Sequence, residues 1–129
     1  MYSYNSTHKI FVVLIVVAWA MYHFSGKNED RLIYDNGQAK RVGEQKNSLN
    51  DGVWVWYYEN GETQMKGEFI EGKRTGIWEQ YDSLGNLLST SQYRNNHING
   101  LLTKYRADGT IREQYIYRND TVVKKVELK

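Results

Sequence analysis

Four aromatic rings fall within five positions at Trp54-Val55-Trp56-Tyr57-Tyr58, just ahead of the Asn60-Gly61 dipeptide. Large flat rings set this close could stack on sugar rings or on a partner's aromatic side chains, and a single ring can bury roughly 150–250 Å². The candidate partner-binding residues are therefore Trp54, Trp56 and Tyr58, with Trp78 beside them. Within this set Trp56 and Tyr58 stand apart. Their counterparts 24 and 48 residues later are Gln80 and Asp82, then Lys104 and Arg106, so no repeated structure requires rings at those places.

Other residue types offer less chemistry. Glu59, Glu62, Glu68, Glu71 and Glu79 could bring two carboxylates together, as glycoside hydrolysis needs. Charges at every second residue of a strand are more simply its solvated face. His97, in Asn95-Asn96-His97-Ile98-Asn99-Gly100, has no second histidine near it after residue 26, and it reads as a turn residue. Lys73-Arg74 and Lys124-Lys125 are basic pairs offset by Glu71, Glu79 and Glu127. No Gly-x-Ser-x-Gly, phosphate loop or metal-ligand spacing occurs, so we expect no enzyme, no catalytic residues, no metal site and no cofactor. The chain has no cysteine, which removes disulfides and thiolate chemistry. Its net charge of +2, with signs alternating along the chain, leaves no basic footprint for nucleic acid.

The elements that position these residues follow from a repeat. Gly52-x-Trp54-x-x-Tyr57-x-x-x-Gly61 returns as Gly76-x-Trp78-x-x-Tyr81-x-x-x-Gly85 and again as Gly100-x-Leu102-x-x-Tyr105-x-x-x-Gly109. Phe69, Tyr93 and Tyr117 share a second position, and Gly72, Asn96 and Asp120 a third. The pattern continues outward: Gly37 precedes Gly61 by the same interval, and Gly43-Glu44 matches Gly67-Glu68. At the far end Val126 takes the tryptophan position, as terminal units of an array degrade into caps. Each unit holds two short aromatic and β-branched runs joined by Asn60-Gly61, Leu84-Gly85 or Asp108-Gly109, a hairpin signature. The expected fold is all-β: an open antiparallel sheet of seven or eight strands, built from stacked hairpins of about 24 residues. The units lie near 28–51, 52–75, 76–99 and 100–123 within a repeat domain of residues 27–129.

Turn type decides which rings share a face. A three-residue loop with glycine last pairs Tyr57 with Thr63, Tyr81 with Leu87 and Tyr105 with Ile111. Alternation from there groups these tyrosines with Met65, Phe69, Tyr93 and Tyr117, leaving Trp54, Trp56 and Tyr58 on the reverse. A two-residue turn would instead gather Trp54, Trp56, Tyr58, Met65 and Phe69. The three-residue loop gives every unit an apolar pair and is the expectation adopted.

Residues 1–26 are set apart. Ile10 to Phe24 are apolar or aromatic except His23, Lys9 is the only formal side-chain charge within residues 1–26, and no acid occurs before Glu29. Two readings stay open. Ala18-Trp19-Ala20 suits cleavage of a secretory signal peptide. Alternatively, an uncleaved anchor helix of fifteen residues spans roughly 22 Å, with Trp19, Tyr22 and Phe24 as an interfacial belt extending its reach. With the usual amino-end-inside orientation, either places the repeat domain outside the cytoplasm: at the cell envelope as a single-pass membrane protein, or periplasmic or secreted after cleavage; a buried soluble helix is the third and least favoured reading.

The run Gly67-Glu68-Phe69-Ile70-Glu71-Gly72-Lys73-Arg74-Thr75-Gly76-Ile77-Trp78 resembles the MORN repeat. The period and the Gly-x-Trp-x-x-Tyr-x-x-x-Gly signature look most like its bacterial variant branch, which includes YwqK-family antitoxins. The resemblance covers roughly residues 31–126, and Leu102 departs from it where tryptophan is expected. It implies an elongated, twisted sheet of stacked hairpins. Of function it implies scaffolds, membrane-associated proteins and toxin-neutralising partners, with no shared catalytic residues. The expected function is a membrane-tethered or exported repeat module that binds another protein. The alternatives are a cell-wall glycan-binding module using the exposed rings and an antitoxin-like partner of a toxin.

Overall fold

Glycine, asparagine and aspartate at fixed intervals cut the chain into runs of six to nine residues, each rich in β-branched and aromatic side chains. Such runs form strands, and their punctuation forms the turns. The computed structural model describes residues 32–129; the N-terminal segment 1–26, with the hydrophobic helix expected there, lies outside the described residues. Eight strands follow: β1 (Arg41–Lys46), β2 (Leu49–Tyr57), β3 (Thr63–Ile70), β4 (Lys73–Tyr81), β5 (Leu87–Arg94), β6 (His97–Tyr105), β7 (Ile111–Arg118) and β8 (Thr121–Val126). They pair antiparallel in sequence order in a single open sheet, as the repeat predicts. Ahead of β1, an isolated bridge between Ile33 and Ala39 closes one more, shorter hairpin around Gly37.

The two ends of the sheet use different turns. At one end Tyr58 and Glu62 flank a three-residue loop: the Tyr58 N–H donates to the Glu62 carbonyl at 2.8 Å, and Gly61 N–H donates to Tyr58 O at 3.0 Å. The same two bonds recur at Tyr34/Gln38, Asp82/Asn86 and Arg106/Thr110. Each loop ends in a left-handed glycine, Gly61 with φ of 88°, where an L-residue would crowd its own Cβ against the backbone. At the other end Asn47-Ser48, Glu71-Gly72, Asn95-Asn96 and Asn119-Asp120 are two-residue turns with every φ between 44° and 77°. This is the doubly left-handed turn whose twist matches the flanking strands.

The loop pairings are those expected: Tyr57 faces Thr63, Tyr81 faces Leu87 and Tyr105 faces Ile111. The expected faces are not. One residue further in, Trp56 pairs with Met65, so Gln64 is an extra residue in β3. Leu88 and Arg112 are extra in β5 and β7 at the equivalent place. A one-residue bulge exchanges the sides of every residue beyond it. Met65, Phe69 and Tyr93 therefore lie with Trp54, Trp56 and Trp78, and Tyr57 and Tyr81 lie on the reverse, opposite to the grouping the alternation rule gave. The bulge collects the large rings of adjacent strands on one side, where they can bury one another.

Units are also tied across the sheet at a separation of about one period. The Tyr34 hydroxyl donates to Tyr57 O at 2.9 Å and Tyr58 to Tyr81 O at 2.7 Å. The Asn36 carboxamide donates to Glu59 O and that of Asn60 to Ser83 O, both at 2.7 Å. At the opposite end Gly72 N–H donates to Asn50 O, Asn96 to Arg74 O and Asp120 to Ile98 O, at 2.8–3.0 Å.

Gly109 isolates the conformational requirement of the loop. Its φ is 83° and no atom lies near enough to oppose an added methyl. Gly109→Ala should cost about 1–2 kcal/mol from the left-handed backbone alone, measured by urea unfolding. No loss of stability would show that the loop adopts another turn.

Three turn carboxylates make the fold acid-sensitive. Asp82 is held below the ordinary aspartate value of 3.8 by the Asn86 side chain, Asp108 by the Thr110 side chain and Asp120 by His97. Each folded pKa is depressed, so its contribution is present above the unfolded value and is lost as pH falls through the folded one. The thermal midpoint should be level at mildly acid pH and fall below about pH 3.8. Asp82→Asn should make that acid limb shallower; an unchanged limb would remove Asp82 from the account.

Candidate functional site

The rings of Trp54, Trp56, Phe69, Trp78 and Tyr93 form a continuous row across β2 to β5. Phe69 packs edge-on against Trp54 and Trp78, with centroids 6.3 and 5.0 Å away. Trp56 lies 5.9 Å from Trp54, 6.2 Å from Phe69 and 5.7 Å from Trp78. Tyr93 continues the row 5.9 Å beyond Trp78. Tilted and edge-to-face arrangements at these separations are the favourable ones for aromatic quadrupoles.

Backbone shape makes this row possible. Trp54 lies across Gly43 and Trp78 across Gly67; a Cβ at either glycine would fall inside the tryptophan ring. A strand glycine at such a place marks close approach rather than a turn. Seated there, Trp54 is 7% exposed and Trp78 5%, the two buried apolar residues among those described. The Trp54 indole N–H also donates to Glu44 O at 2.9 Å. The equivalent nitrogen of Trp78 has no hydrogen-bond partner among the described residues.

Of the four ring residues singled out in the sequence, the structure brings Trp54, Trp56 and Trp78 together. Trp54 and Trp78 are the buried part of the row, and Trp56 is half-buried between them. Tyr58 sits apart in the loop, where its hydroxyl fastens the next hairpin. Its true repeat counterpart is Tyr34, which makes the same bond one unit earlier. Sequence reading missed Phe69 and Tyr93 as members of the exposed row, although their recurrence with Tyr117 was visible. It also missed Arg74, whose guanidinium lies 4.3 Å from the Tyr93 ring centroid and 5.9 Å from that of Trp78. Arg74 is held there by bonds to Tyr93 OH at 3.0 Å and Asn96 Oδ1 at 2.8 Å, so it closes the row with a fixed positive charge. The Lys73-Arg74 pair thus separates into an exposed lysine and a stacked arginine.

The remaining polar candidates are engaged with one another. On the reverse face Glu79 accepts from Lys66 at 3.0 Å and from the Tyr81 hydroxyl at 2.9 Å. The bond to Glu79 raises the Lys66 pKa, and burial raises that of Tyr81. His97 Nδ1 meets Asp120 Oδ2 at 2.6 Å and joins two adjacent turns. Among the described residues no three potential metal ligands converge, and no helix is long and apolar enough to cross a membrane.

Residues 50–71 and 74–95 each match the family described as MORN repeat variant. No curated protein gives a match. The two MORN-variant segments coincide with the hairpins β2–β3 and β4–β5, which are those carrying Trp54 and Trp78. The next hairpin, β6–β7, keeps the turns but places Ser91 opposite Leu102 where its predecessors set glycine against tryptophan. The family pattern and the ring row fade at the same place.

That substitution pair defines a test. Gly67→Ala has no φ requirement to violate, yet it should cost about 2–4 kcal/mol because Trp78 must leave its seat. The double variant Gly67→Ala/Trp78→Leu, imitating the third unit, should lose less than the sum of the singles, by at least about 1 kcal/mol in a double-mutant cycle. Strict additivity would mean that the ring does not rest on the glycine.

Proposed function

We propose that residues 32–129 are a non-enzymatic repeat module of a bacterial cell-envelope protein, and that its partner is another protein engaged by the ring row. Residues 1–26 tether it to the membrane or direct its export. The observation that carries this reading is the half-exposed set Trp56, Phe69 and Tyr93, backed by buried Trp54 and Trp78 and closed by Arg74. Binding hot spots favour such rigid aromatic and arginine side chains, because little conformational entropy is lost when a partner covers them. The sheet is one layer thick, and among the described residues nothing covers this face. The edge strand β8 supplies a second means of attachment, since among the described residues one side of it has no strand neighbour. The YwqK-type variants remain the branch its repeat signature most resembles, which makes an antitoxin-like role the rival with a different location.

A photo-crosslinker at position 56 should capture a protein in intact cells, and one at Val53, exposed on the reverse face, should not. Trp56→Ala should keep its fold with a loss of about 1–2 kcal/mol and weaken partner binding at least tenfold, as expected of a hot spot. Retention on insoluble cell-wall glycan that disappears with Trp56→Ala would transfer the site to the glycan reading. Recovery of the chain wholly in the cytosol would favour the antitoxin reading.

A further inference from the structure

The reverse face of the last two hairpins carries a cluster that neither the repeat nor the ring row accounts for. Arg94, at the end of β5, and Arg118, at the end of β7, are 24 residues apart and occupy the same place in successive units. The first two units have Lys46 and Ile70 there. Strands β5 and β7 both flank β6, so the two arginines start about 10 Å apart and their long side chains can reach one ligand. Among the described residues neither guanidinium has a hydrogen-bond or ion-pair partner.

Between these two exposed arginines lies an open surface hollow of about 370 Å³, lined also by Gln92, Asn99, Ile116 and Val123. Its lining contains no carboxylate. The Gln92 side-chain oxygen is already taken by the Leu101 N–H at 2.9 Å, which leaves its amide N–H groups as donors. Ile116 and Val123 are 39% and 55% exposed and supply an aliphatic wall. The volume falls within the range of small-molecule sites.

Two uncompensated guanidiniums call for an anion, and their planar forks match phosphate or carboxylate oxygens in pairs. Two positive charges balance the −1.5 to −2 or so of a phosphate monoester better than the single charge of a carboxylate. The aliphatic wall suits the organic part of such an ester. We propose that this cavity, framed by Arg94 and Arg118, binds a small soluble phosphate monoester.

The test uses the full chain and follows the amide signals of Gly100 and Leu101 by nuclear magnetic resonance. It titrates inorganic phosphate and O-phosphoserine at constant ionic strength, with acetate as the carboxylate comparison. Saturable shifts are expected with both phosphates, tighter for the ester, and weakened by added salt. Arg94→Gln and Arg118→Gln should each weaken binding about tenfold and together abolish it. Arg94→Lys should restore part of the loss, and Arg112→Gln, placed elsewhere, should have no effect. Unchanged tryptophan fluorescence in each variant will show that the fold is intact. Absence of saturable shifts overturns the proposal, as does binding indifferent to both arginines. Acetate binding as tightly as phosphate overturns the assignment of ligand class. Retention on phosphatidic-acid vesicles that soluble phosphate does not compete overturns the assignment to a soluble ester.

Discussion

Everything in this sheet depends on a tryptophan laid across the glycine of the preceding strand. One layer of strands has no second layer to pack against, so burial must be found within a single face. A ring lying flat on a bare backbone stretch is one solution, because the strand itself becomes the floor of the core. Trp54 over Gly43 and Trp78 over Gly67 do this, and they alone among the described apolar residues are buried. The other rings of the row pack against these two and remain half-buried. Thr103, 3% exposed, is the single buried polar residue described, and its hydroxyl is satisfied by Gln114 at 3.1 Å.

So small a core must be supplemented by restraint of the chain, and the turns supply it. Left-handed positions filled mostly by glycine or asparagine, with Ser48, Glu71 and Asp120 as the others, reduce the strain of each reversal, and side chains from one turn satisfy backbone groups of the next. Tyr34 and Tyr58, with Asn36 and Asn60, form parallel rows of such bonds along the loop end. Each unit is thereby completed by its neighbour. The main contacts between described strands are those of sequence neighbours, the nearest-neighbour organisation of a solenoid-like array.

The period, the hairpins, both turn positions and the loop pairings were legible because each rests on residues that recur at fixed spacing. The face was not. Gln64, Leu88 and Arg112 have nothing in common that announces an extra residue, although each follows the first residue of its strand beyond the three-residue loop. The clue lay in Gly67, between Met65 and Phe69 in β3. A strand glycine flanked two residues away by large apolar side chains implies that something sits on it, and Trp78 was the available ring. Reading glycine only as a turn former hid that second use. The same habit hid the role of Tyr58, which looked unmatched until Tyr34, one period earlier, was aligned with it. Arg74 was illegible for another reason, since stacking on Tyr93 depends on a neighbouring strand's register.

The gradient along the array then acquires a functional sense. In the first two full hairpins glycine and tryptophan build an apolar row on one face. Between β5 and β6 that seat holds Ser91 and Leu102, and beyond it the equivalent surface becomes charged: Lys104 and Lys125 lie 5.7 and 5.6 Å from the Tyr115 ring centroid and pair with Glu113 at 3.7 and 3.6 Å. The reverse face changes too, with Arg94 and Arg118 standing where the earlier units have lysine and isoleucine. The two proposed sites divide along this gradient, the ring row at the amino-terminal hairpins and the arginine pair at the carboxy-terminal ones. They lie on opposite faces, so occupation of one leaves the other open.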